Sequence, residues 1–163
     1  MNTATPTISR IWKQGGFVAD LYGRESAAVL VSPEEATGRL GGGSAVVLML
    51  EAGDDPAACA GRIHEFAATH IRFPAFSDGR GFTAARILRE RLHYKGPVRA
   101  TGKFILDQIP LMLRTGFDEF EVSHEPTIRR LEANDLAEVP FWLQPAYGEE
   151  KPVNGRAWAR TQL

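Results

Sequence analysis

Residues 44–56 read SAVVLMLEAGDDP. Ala45 to Leu50 are all apolar, a run of strand length with no polar alternation. Such a run suits a strand buried on both faces of a parallel sheet. Turn and cap residues follow: Gly53, then Asp54 or Asp55 as a helix cap ahead of Pro56. The stretch reads as the first half of a strand–helix–strand unit, and it sets how the flanking chain is parsed.

Downstream, residues 57–68 read as a helix with Cys59, Ile63, Phe66 and Ala67 on one face. HIRFPAF (70–76) reads as the next strand, weakened at its end by Pro74. GFTAARILRERLHY (81–94) is a second helix. Ala84, Ile87, Leu88 and Leu92 line its inner side, and Arg86, Arg89 and Glu90 take the outer side. Lys95-Gly96-Pro97 stops it. VRATG (98–102) is a third strand, 105–115 a third helix with Pro110 inside it, and FDEFEVS (117–123) a fourth strand. Pro126 opens a fourth helix running to about Leu136, and VPFWLQPAY (139–147) reads as a last strand. Upstream, residues 10–31 hold the apolar runs RIWKQGGFVADLY and SAAVLVS, with Gly15-Gly16 as a hairpin turn. Ser32 then caps a short helix that the glycines at 41–43 end.

The expected fold class is α/β. About four βα units form an open parallel sheet or half-barrel, preceded by an N-terminal β-hairpin. At 163 residues the chain is short of the roughly 250 residues of an eight-fold barrel. Residues 10–147 are expected to form a single domain, with a polar, disordered segment at 1–9 and a loosely held tail at 148–163.

The net charge is −1, which argues against general nucleic-acid binding. No apolar run approaches the roughly 18 residues of a membrane span, and the N-terminus has no secretory h-region. A lone cysteine, Cys59, excludes an internal disulfide and suits a cytoplasmic location. The charge is unevenly distributed. Between Arg72 and Lys103 stand eight basic residues and two acidic ones, a net +6. A basic centre in an acidic chain can attract a small anion or an acidic partner; a solvated helix face is the plainer reading.

In parallel α/β folds, ligands sit beyond the carboxyl ends of the strands. Those positions here are Ala52–Asp55, Ser77–Gly81, Gly102-Lys103 with Asp107 and Gln108 close behind, and Ser123–Glu125. In Asp78-Gly79-Arg80-Gly81 the glycines let backbone approach a ligand, and Arg80 offers a forked donor for an oxyanion. Lys103 offers a second charge. Asp78 either orients Arg80 or caps the helix, and the whole stretch also fits ordinary turn chemistry. Asp78 and His124 are the candidates for acid or base. Asp107 and Gln108 can hydrogen-bond a ligand, although Asp107 equally suits a helix cap. The four histidines show no metal-ligand spacing, and no nucleotide, flavin or haem fingerprint is present, so no metal or cofactor is expected.

FSDGRGFTAARILRERLHYKGPVRATG (76–102), followed by DQIPLMLRTGFDEFEV (107–122), resembles a proteobacterial family called domain of unknown function 934. The matching positions are Phe76, Asp78–Thr83, Ala85–Arg91, Lys95-Gly96, Arg99–Gly102, Asp107-Gln108 and Gly116–Glu121. FWLQ (141–144) resembles the family's ending. Lys103 departs from the acidic or neutral residue usual there, and Pro110 is unusual for the helix that follows Asp107-Gln108. Members are described as oxidoreductases of sulfite reduction, a label drawn from genes beside assimilatory sulfite reductase. The resemblance implies an accessory role in sulfate and sulfite reduction. Gly79, Arg80, Gly81, Arg86, Arg99, Lys103, Asp107 and Gln108 are then expected to bind a small oxyanion or sulfite reductase itself. An enzyme acting on a small anionic substrate at the same rim, and a scaffold with no ligand, are the alternatives. A homodimer would suit an open half-barrel.

Overall fold

The computed structural model describes residues 9–23 and 26–136. The strand expected at 139–147, the FWLQ stretch, the tail at 148–163 and the first eight residues lie outside the described residues.

Seven strands form one open sheet: β1 (Arg10–Lys13), β2 (Gly16–Val18), β3 (Val29–Val31), β4 (Val46–Leu50), β5 (Ala68–Phe73), β6 (Val98–Gly102) and β7 (Glu119–Val122). Their order is β2-β1-β7-β6-β5-β4-β3. Strands β3 to β7 are parallel and lie in chain order, while β1 pairs antiparallel with both β2 and β7. The α/β open sheet and the N-terminal hairpin are as the sequence implies. The parallel run begins one strand earlier, because SAAVLVS pairs in parallel with β4 at the far edge of the sheet.

With parallel strands in chain order and right-handed crossovers, the connecting helices fall on one face of the sheet. The connections contain α1 (Ala36–Arg39), a 3-10 segment (Pro56–Glu65), α2 (Arg80–Arg86) running into a π-helical turn (Ile87–Arg91), a 3-10 turn (Leu106–Gln108) leading into α3 (Ile109–Thr115), and α4 (Glu125–Glu132) after β7. The core lies between them and the sheet. Leu48, Leu50, Ile71, Phe73, Ala100, Phe120 and Trp12 from the strands pack with Ile63, Phe66, Leu88, Ile109, Met112 and Ile128 from the helical layer.

Three expected helices differ in form. The first opens as a turn in which Ser32 and Glu35 cap each other reciprocally, with N–H to side-chain oxygen distances of 3.2 and 3.4 Å, before the short α1. Residues 56–65 wind as a 3-10 segment capped by Asp55, whose Oδ1 accepts from the Ala57 amide at 2.9 Å. Gly61 near its middle lowers the preference for a regular α-helix.

The helix expected at 81–94 forms over Arg80–Arg91, but Arg89 does not face outward. The Leu92 amide bonds to Ile87 O at 3.0 Å, five residues back, and Arg89 is buried. Its Nε donates to Gly116 O at 2.9 Å, and its Nη1 donates to Tyr94 O and Gly96 O at 2.7 and 2.8 Å. Its Nη2 pairs with Asp118. The widened turn coincides with the burial of this guanidinium.

Candidate functional site

At the carboxyl edge of the sheet the loop after β5 carries Asp78, Gly79 and Arg80. Asp78 both caps and orients. Its Oδ1 accepts from the Arg80 amide at 3.1 Å and from Arg80 Nε at 3.0 Å, and its Oδ2 accepts from Arg80 Nη2 at 2.7 Å. The side-chain and backbone bonds from Arg80 hold the Asp78 carboxyl below the usual carboxylate range. The clamped guanidinium stays on the surface, with Nη1 3.0 Å from where a Cβ on Gly53 would lie. Gly53 has φ +103°, a conformation that favours glycine. Gly81 serves packing, because a Cβ there would lie 2.6 Å from the Phe73 ring.

The loop after β6 joins this rim. Gln108 bridges the two loops, donating from Nε2 to Phe76 O at 2.8 Å and accepting at Oε1 from the Ile105 amide at 3.1 Å. The Lys103 amide donates to Phe73 O at 2.7 Å, and its side chain is exposed, with no ion pair among the described residues. Phe76 and Ile105 are held out into solvent, 61% and 46% exposed. The structure thus brings Asp78, Gly79, Arg80, Gly81, Lys103 and Gln108 together.

The other predicted residues lie apart or are engaged. Arg86 faces solvent lower on α2 and pairs with Glu90 one turn on. Asp107 is exposed in the 3-10 turn and acts electrostatically on Arg130. His124 is the N-cap of α4, with Nδ1 2.9 Å from Thr127 Oγ1. Arg99 lies on the sheet face away from the helices, 1% exposed.

There Arg99 organises a buried network. Its Nε and Nη2 meet Glu119 Oε2 at 2.9 and 2.8 Å, and its Nη1 meets Asp20 Oδ1 at 2.8 Å. Lys13 Nζ closes on Glu119 Oε1 at 2.7 Å. The β5–β6 register sets His70 opposite Arg99. Burial, then the charge of Arg99, pushes the His70 imidazole down to about 4, and its Nε2 has no hydrogen-bond partner among the described residues. The sequence signal for this network was charge in mid-strand, Arg99 in VRATG and Glu119 in FDEFEV.

A cleft of about 370 Å³ opens between the loop after β4 and α2, lined by Gly53, Asp54, Asp55, Arg80, Thr83 and Arg91 among others. Sequence reading placed Gly53–Asp55 and Arg80 on one rim but did not bring Arg91 to it. Among the described residues no cluster of side chains has the makings of a metal site, and no helix is long and apolar enough to cross a membrane.

The fold and rim define an open-sheet α/β protein with a loop-built surface at the carboxyl edge. A family model described as a bacterial protein of unknown function, DUF934, matches residues 47–154, and the chain belongs to that family. No curated protein and no solved structure matches it. Much of the stretch that carries the family resemblance serves the fold: Arg89 ties Gly96, Gly116 and Asp118 together, Gly81 packs on Phe73, and Gln108 joins two loops.

Proposed function

We propose that this chain is a cytoplasmic accessory protein of assimilatory sulfite reduction that docks onto sulfite reductase through the carboxyl rim of its sheet. The pathway comes from the family resemblance. The observation that favours a protein over a free oxyanion is Phe76, a large aromatic side chain exposed to solvent on a loop that Gln108 joins to the segment carrying the exposed Ile105. Three of the four cations expected to grip an oxyanion are already engaged, Arg80 by Asp78, Arg86 by Glu90, and Arg99 by Glu119 and Asp20, while Lys103 has no ion pair among the described residues. Exposed aromatic anchors flanked by charge suit protein interfaces, where a few such residues carry most of the binding energy.

The test is titration of the chain against purified sulfite reductase by calorimetry. The double variant Phe76→Ser/Ile105→Ser is expected to weaken binding at least about tenfold, or about 1.4 kcal/mol, with no loss of thermal stability. Absence of binding, or equal binding by the variant, would sink the docking reading. Stabilisation by millimolar sulfite or sulfate that Arg80→Ala abolishes would move the site to the Asp78–Gly81 loop as an anion site.

A further inference from the structure

We infer that the groove between the 3-10 segment and α2 is a binding site for an organic anion with an apolar body and one charged head. Its volume, about 370 Å³, falls in the range of small-molecule sites. A bare oxyanion, with a volume on the order of two waters at about 30 Å³ each, would leave most of it empty.

The floor is apolar. Ala84, Ile87 and Leu92 line it along α2 and the π turn, and Ala57 faces them from the 3-10 segment. Alanine on that opposing wall leaves the width that a larger side chain would fill. The groove is therefore suited to a hydrocarbon or aryl body, whose burial there contributes roughly 25 cal/mol per Å².

The two ends differ in charge. At the rim, Arg80 is already balanced by Asp78, with Asp54 and Asp55 alongside. That end has no excess positive charge; it accepts a hydroxyl or amine donor at most. At the far end stands Arg91, exposed and without an ion pair among the described residues, since Glu90 pairs with Arg86. A guanidinium at the mouth of an apolar groove suits a carboxylate or sulfonate head, which it can bind through two parallel hydrogen bonds.

This inference does not rest on the docking reading, and the two are tested separately. The probe is 8-anilinonaphthalene-1-sulfonate, an aryl body with one sulfonate, titrated into the full chain by fluorescence. The comparison set is the wild type, Arg91→Gln, Thr83→Trp, and the rim variant Phe76→Ser/Ile105→Ser, each checked for an unchanged thermal midpoint. One equivalent of dye is expected to bind. Arg91→Gln should weaken it at least about tenfold, Thr83→Trp should abolish binding by filling the groove, and the rim variant should leave it unchanged. Equimolar inorganic sulfate should not displace the dye. Unchanged affinity in either groove variant, loss in the rim variant, or displacement by equimolar sulfate would each overturn the assignment.

Discussion

His70 stands on β5 opposite Arg99 on β6, and burial holds its imidazole neutral down to about pH 4. In the unfolded chain the same ring protonates near its ordinary value of 6.5. Between these two values the unfolded state binds a proton that the folded state refuses. Stability is therefore full above about pH 6.5 and falls as the pH drops toward 4. The total loss is about 3 kcal/mol if the whole displacement is expressed. Denaturant unfolding at pH 7 and at pH 4.5 measures it, and His70→Gln is expected to flatten this part of the profile. Its neighbour Arg99 carries a larger penalty. Arg99→Met leaves Glu119 buried with Lys13 as its remaining cation, and is expected to cost about 3–5 kcal/mol by the same measurement. The pairing of Asp78 with Arg80, two residues apart, was legible in the sequence, but the partners of Arg99, Glu119 and Asp20, were not. Partner choice depends on which strands become neighbours, and strand order is not local in sequence.

At the scale of the element, α2 and its π turn show where periodicity stops being informative. Spacing located a helix at 81–94 and assigned Ala84, Ile87, Leu88 and Leu92 inward, and the structure buries Ala84 and Leu88 while Ile87 and Leu92 line the groove. It assigned Arg89 outward, because a guanidinium on an amphipathic helix ordinarily faces water. The exception has a physical cause: the carbonyls of Tyr94, Gly96 and Gly116 converge with Asp118 on one point, and together they replace the solvation that Arg89 gives up. Arg89→Lys keeps the charge but loses the planar fork, and is expected to destabilise by about 2–4 kcal/mol, read from denaturant midpoints. Hydrogen exchange at Leu92 and Tyr94, whose amides bond to Ile87 O and Leu88 O, should accelerate in that variant.

At the scale of the whole molecule, the buried network joins parts of the chain that the parallel sheet alone does not hold. Lys13 ties the hairpin to β7, and Asp20 ties the loop after β2 to β6. Asp20→Asn is expected to raise hydrogen exchange in residues 19–23 while leaving protection in β5 and β6 intact, at a cost of about 1–3 kcal/mol. Loss of protection across β5 and β6 as well would show that the network holds the sheet rather than the loop. The sequence by itself determined the α/β class, the N-terminal hairpin, and the alternation of strands and helices along the chain from β4 to α4. It could do so because hydrophobic period, caps and turn residues are local properties of the chain. Only the tertiary structure decided that Val29–Val31 joins the far edge as a parallel strand. Only it decided that Arg89 and Arg99 are internal and that Phe76 and Ile105 stay in water. Burial of a charge or exposure of an aromatic is settled by what the rest of the chain brings alongside, and those contacts form between residues far apart in sequence.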